Sequence, residues 1–202
     1  MNALNHFIVH VPKKHEDTVK VGDKDIFLDP KFNEFEHRIS YGEIVSAPSK
    51  YDTGAKPGDT LIFQHHVTTN KVLSIGDNNH VAMYDAENGH LSQCIAYRSK
   101  ETGELKMLCD WLFVEPVEEE QEDTEQNGIV TELESFKKAR DVARVYMPHP
   151  ELEEQGVRVG DVVGFDKHAD YKIKLDNGDI VYRMRVSNIS YVEVQVEEVH
   201  ND

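Results

Sequence analysis

The 202-residue chain has two cysteines, one tryptophan and few basic residues. It also has no apolar run near the roughly 18 residues that a membrane helix needs. Each shortage excludes something. Cys94 and Cys109 cannot build a disulfide framework, and neither stands in a C-x-x-C pair, so no zinc or redox motif is present. Reduced thiols in a cytoplasmic compartment are the expectation. Cys109, next to Trp111 in an apolar stretch, reads as a buried and inert thiol. Lys and Arg total 22 against 38 Asp and Glu, a net charge of −16. A chain so acidic is a poor coat for nucleic acid and a poor fit to anionic lipid. Met1 to Lys20 lacks the apolar core of about 7–15 residues that marks a signal peptide. Apolar residues make up 39% of the chain, which favours small modules over one deep core.

Catalytic signatures are missing too. There is no Gly-x-Ser-x-Gly elbow, no Gly-rich phosphate loop and no kinase motif. The 11 histidines show no metal-ligand spacing. His65 and His66 are adjacent and, on a strand, would point to opposite faces. No carboxylate pair stands out as an acid/base dyad. The expectation is a protein that is not an enzyme and has no metal or cofactor of its own.

What the chain does contain is a repeat. Lys56-Pro57-Gly58-Asp59-Thr60-Leu61-Ile62-Phe63 is echoed by Arg158-Val159-Gly160-Asp161-Val162-Val163-Gly164-Phe165, offset by 102 residues. His66 and His168 share that offset. A short apolar strand opens each half, Phe7 to Val11 and Trp111 to Val114. A polar stretch follows each, Lys13 to Asp25 and Glu118 to Asn127. Each then reaches an apolar cluster, Ile26-Phe27-Leu28 and Ile129-Val130. From Ile26 to Gly58 is 32 residues, and from Ile129 to Gly160 is 31. Features recurring in one order at nearly one spacing indicate a duplicated module. The expected domains are 1–115 and 116–202, joined near the acidic run Glu118 to Asp123. The first repeat carries extra material between Val67 and Met107.

The modules read as mainly β. Tyr171, Ile173 and Leu175 alternate with lysines; Tyr182, Met184 and Val186 with arginines; Val192, Val194 and Val196 with Glu and Gln. Asn177-Gly178 between the first two runs predicts a hairpin with a type I′ turn. Short strands of this kind predict small barrels or sandwiches. Glu132 to Tyr146 is rich in helix formers, with Leu133, Phe136, Ala139, Ala143 and Tyr146 on one helical face, so a short helix competes there.

Ile26, Phe27 and Leu28 are apolar residues set in a charged stretch. They can fold back as a core strand, or they can serve as a docking peptide for a hydrophobic groove on another protein.

Together these motifs resemble the GroES co-chaperonin family. Val159 to Phe165 resembles the family's Gly-Asp strand, and Tyr171 to Val194 its closing hairpin and last strand. Asn127-Gly128-Ile129-Val130-Thr131 resembles the chaperonin-binding loop tip. In the first half, Phe7 to Val11 resembles the first strand, Gly42-Glu43-Ile44-Val45 the strand after the loop, and Pro57 to Phe63 the Gly-Asp strand. Ile26, Phe27 and Leu28 occupy the loop-tip position. The roof region is shortened at Ala47 to Ala55, and the second half offers only Val142 to Met147 in place of the Gly-Glu-Val strand.

The resemblance implies two tandem GroES-like irregular β-barrels, with a short helix or mobile loop in the second. It implies a co-chaperonin that caps a GroEL-like chaperonin through hydrophobic loops and assists ATP-dependent folding. The chaperonin-binding residues would be Ile26, Phe27, Leu28, Gly128, Ile129, Val130 and Thr131. ATP would belong to the chaperonin. The partners would be that chaperonin, other copies in a homo-oligomeric ring, and an enclosed substrate protein, with no nucleic acid or membrane. The location would be cytoplasmic, in a host cytoplasm for a bacteriophage-encoded chain. The alternative is a β-barrel structural or adaptor protein, such as a phage assembly component, without chaperonin binding. A dehydrogenase built on a GroES-like fold is disfavoured, because the Rossmann partner and cysteine ligands are missing.

Overall fold

The computed structural model describes residues 2–11, 18–27, 38–69, 73–76, 78–118 and 138–193. It is mainly β. The first half supplies β1 (Phe7–His10), β2 (Thr18–Val21), β3 (Lys24–Phe27), β4 (Tyr41–Ser46), β5 (Thr60–Phe63), β6 (Ser74–Ile75), β7 (Asn79–Ala82), β8 (Cys94–Arg98) and β9 (Leu105–Met107), with a one-turn helix α1 (His66–Thr69) after β5. The second half supplies β10 (Trp111–Glu118), β11 (Lys138–Met147), β12 (Val162–Phe165), β13 (Tyr171–Lys174), β14 (Ile180–Arg185) and β15 (Ile189–Glu193), with α2 (Pro150–Glu154) after β11.

The strands form two large sheets with the same plan. The first runs β6-β7-β1-β4-β5-β8-β9 and the second β13-β14-β10-β11-β12-β15. Apart from β9, each strand of the first has a counterpart at the same place in the second. The sequence repeat is therefore a repeat of strand order. β9 and α1 belong to the extra material of the first half.

The two Gly-Asp phrases fold alike. Ile44 N–H donates to Asp59 C=O and Gly58 N–H to Ile44 C=O; Val145 N–H donates to Asp161 C=O and Gly160 N–H to Val145 C=O. Each aspartate carboxylate reaches back across its turn to accept a backbone N–H at 2.8 Å, Asp59 from Lys56 and Asp161 from Arg158. Gly58 and Gly160 sit at φ 92° and 97°, where a side chain is strained. Gly-Asp thus works as a turn: glycine takes the left-handed backbone, and aspartate satisfies the N–H groups that the bend leaves over.

Each half has its own apolar core. Phe7, Val9, Ile44, Leu61, Phe63 and Val67 pack together in the first, and Leu112, Val114, Val145, Val163 and Met184 in the second. β4 shows why the sequence makes strands: Tyr41, Glu43 and Val45 face out while Gly42, Ile44 and Ser46 face in. Burying a side chain such as Phe63, which is fully covered, contributes about 2–3 kcal/mol.

By packing, the chain divides into two units, Met1–Trp111 with Ile173–Ile180, and Leu112–Lys172 with Val181–Asp202. In the first unit, Arg98 Nε donates to both carboxylate oxygens of Asp176 at 3.1 and 3.0 Å.

Three expectations change. Neither large sheet closes into a barrel among the described residues: each strand order has two free ends. Closure needs edges long enough to pair with a stagger, and β6 and β9 have only two and three residues. Second, Lys138 to Tyr146 is strand β11 and not helix, pairing with both β10 and β12. Two ladders of backbone hydrogen bonds outweigh a propensity difference of a few tenths of a kcal/mol per residue. Among the described residues of this stretch helix begins at Pro150, where Pro at the first position and His149 Nδ1, accepting from Glu151 N–H, favour it. Leu133 and Phe136 lie outside the described residues. β11 also sits between β10 and β12 as β4 sits between β1 and β5, which makes Val142 to Met147 the counterpart of Gly42 to Val45.

Third, the Asn177-Gly178 hairpin is not type I′. Of the two residues only Gly178 has positive φ, at 97°. Gly178 N–H bonds Leu175 C=O and Leu175 N–H bonds Asp179 C=O. This is a three-residue loop with glycine in the bulge position. The flanking alternation holds: Lys172 and Lys174 are exposed while Ile173 and Leu175 are buried. Tyr182, Met184 and Val186 all meet the second core. Val194 and Val196 lie outside the described residues.

Candidate functional site

The segment between β1 and β4 contains a separate two-stranded sheet, β2 with β3. Its register pairs Val19 with Ile26 and Val21 with Lys24. Gly22, at φ 62°, leads the two-residue turn Gly22-Asp23, the glycine-first arrangement of a type II′ hairpin. Ile26 lies on β3 and is 49% exposed; Val21, on β2, is 57% exposed. Ile26 is therefore in a strand, yet outside the core. Phe27 ends β3, paired with Thr18. Leu28, Gly128, Ile129, Val130 and Thr131 lie outside the described residues.

A second feature lies outside the residues that the sequence singles out. The second unit holds a cavity of about 440 Å³. Val114, Pro116, Ala143 and Phe165 give it apolar walls, and Asp141, Lys167, His168, Asp170 and Tyr182 add polar groups. The strands are irregular here. Pro116 pairs with Ala143, but Glu118 pairs with Lys138, so β11 carries several more residues than β10 over this stretch. Asp141 falls in that bulge with φ 68°. His168, in the turn after β12, has φ 65°. Two of the three non-glycine residues with positive φ among those described thus line one cavity. Bulges and left-handed residues re-aim side chains, and they concentrate at binding sites. The readable signal was Pro116, since a proline inside a strand pattern marks a break in the ladder. The helical reading of residues 132–146 concealed the bulge.

Other residues of interest behave differently from the expectation. His65 and His66 are not on a strand: His66 opens α1, and their rings lie beside each other with centroids 3.9 Å apart. His168, its partner by offset, is in a turn. Among the described residues no group of three or more His, Cys, Asp or Glu is arranged to hold a metal ion. Cys94 is the fully buried thiol, and burial pushes its pKa well above the usual value. Cys109 is only half-buried and has φ 54°. Arg183 lies over the Tyr171 ring at 4.4 Å, and burial lowers its pKa to about 10 while that neighbour works the other way. No described helix is long and apolar enough to cross a membrane.

No protein-family model matches the chain, and no curated protein sequence matches it significantly.

Proposed function

We propose that this chain is a tandem co-chaperonin that caps a GroEL-like chaperonin and assists ATP-dependent protein folding. The observation that carries the reading is the duplication: two sheets of the same strand order, each with a long connection after its first strand. In the first half that connection presents β2 and β3 with Val21 and Ile26 exposed. An exposed apolar hairpin edge fits a groove on a partner, through backbone pairing or side-chain insertion. Isolated two-stranded hairpins are marginally stable in water, so a partner surface would add to its stability.

In this reading the modules are GroES-like. Ile26, Phe27 and Leu28 bind the chaperonin from the first half, and Gly128, Ile129, Val130 and Thr131 from the second. The chaperonin binds and hydrolyses ATP. Copies associate into a ring, where avidity multiplies weak contacts. The net charge of −16 suits a lid that must not hold an enclosed chain. The setting is cytoplasmic, and the chain is not an enzyme.

The test is co-sedimentation with a chaperonin and nucleotide, comparing the native chain with Ile26→Ser, Phe27→Ser and Leu28→Ser combined. Binding should depend on nucleotide and fall at least tenfold in the triple variant. Unchanged binding would remove these residues from the site. Self-association without any chaperonin contact would favour a structural or adaptor role.

A further inference from the structure

Residues that line the cavity of the second unit have counterparts in the buried core of the first. In the first core Val67, from α1, is fully buried against a cluster containing Val9, Val11 and Phe63. The repeat maps those three residues onto the second half. Val9 pairs with Ile44 as Val114 pairs with Val145, so Val9 corresponds to Val114 and Val11 to Pro116. Phe63 corresponds to Phe165 at the 102-residue offset. Val114, Pro116 and Phe165 all line the cavity. The residue that Val67 maps onto by number is Ala169, which does not line it. β12 is followed by a turn with His168 at positive φ, and not by a helix carrying a valine inward. The second module has kept the walls and lost the plug.

The lining selects the ligand's chemistry. About 440 Å³ is within the range of small-molecule sites, roughly 300–1,000 Å³. The apolar walls, Val114, Pro116, Ala143 and Phe165, suit an aliphatic or aromatic group. Asp141 brings a carboxylate to the lining beside Lys167 and His168, Asp170 is already engaged in an interaction, and the whole chain adds an acidic field. Phe165 and Tyr182 supply aromatic faces that attract cations. Asp141 and Lys167 are both exposed at the rim, and the long lysine stem lets its ammonium stay in water. We propose that this cavity binds a small organic ammonium, an aromatic or branched aliphatic group bearing one amine. Its apolar part would take the place that Val67 takes in the first module, with the amine toward Asp141.

The experiment is a two-dimensional amide NMR titration of the full chain with phenethylamine, phenylacetate and 2-phenylethanol. The expected result is saturable shifts at Val114, Ala143, Phe165 and His168 with phenethylamine, with Kd on the order of 1 mM or tighter. Phenylacetate should bind at least fivefold more weakly. Asp141→Asn should weaken the amine about fivefold, since asparagine also tolerates positive φ and removes only the charge. Ala143→Leu, which narrows the cavity, should abolish the shifts; if it does not fold, Asp141→Asn remains the deciding variant. No saturable shift at these residues, equal or tighter phenylacetate binding, or an Asp141→Asn affinity equal to that of the native chain would each overturn the proposal.

Discussion

The ring of Tyr191 lies directly over Gly164. A β-carbon at Gly164 would come within 2.0 Å of Tyr191 Cε1. The two residues face each other across β12 and β15. Glycine leaves a gap in the face of the strand, and the aromatic ring covers it. The ladder slips at the next residue, between Gly164 and Phe165.

Gly164→Ala should therefore cost about 1–3 kcal/mol, because the ring or the strand must move. Combining it with Tyr191→Ala should cost less than the sum of the single changes, since the clash then vanishes. Urea denaturation of the four variants measures the coupling. Additive costs would mean that the ring is easily displaced.

The two Gly-Asp turns are expected to respond in parallel. Asp59→Ala and Asp161→Ala should each cost about 1–3 kcal/mol by leaving a backbone N–H without its carboxylate. Asp59 also accepts from Lys100 N–H at 2.9 Å, which ties the turn to the end of β8. Gly58→Ala and Gly160→Ala should each cost about 1–2 kcal/mol through positive φ. Thermal denaturation checks all four. A loss at one turn and none at the other would break the equivalence of the modules.

Tyr84 gives a pH prediction. It is half-buried, with edge-on contacts to Phe7 and Tyr51 at 5.5 Å. Burial, then nearby thiols, pushes its pKa up to about 12. The fold favours the neutral phenol. Above about pH 10 the unfolded chain loses that proton while the native chain keeps it, so stability should fall from about pH 10 to 12. Partial exposure reduces the effect to about 1 kcal/mol. Tyr84→Phe keeps the ring contacts and should remove this part of the alkaline loss. Burial also raises the pKa of Tyr97, so phenolate absorbance should show one fewer late-titrating tyrosine in the variant than in the native chain. Identical curves would contradict the account.

Much of the fold was legible because its signals are local. Alternation placed β13 and β14, and Gly-Asp before an apolar run placed β5 and β12. The repeat offset foretold the matching strand orders. What escaped depends on long-range pairing. Lys138 to Tyr146 has helical residues but sits between two strands, and the bulge at Asp141 exists only relative to Pro116. Type I′ geometry failed at Asn177 because one positive φ, at Gly178, was enough to close a three-residue loop. Of the site, Ile26 stands exposed on β3, outside the core. The cavity was hidden because its walls, Val114, Ala143 and Phe165, read as ordinary core positions.

Electron microscopy of the 202-residue chain mixed with a GroEL-like chaperonin, with and without ATP, tests the capping role most directly. A cap of density is expected on the chaperonin's open end in the presence of nucleotide, touching it at discrete points, and no cap without nucleotide. Bare chaperonin rings under both conditions, across the candidate chaperonins tried, would contradict it.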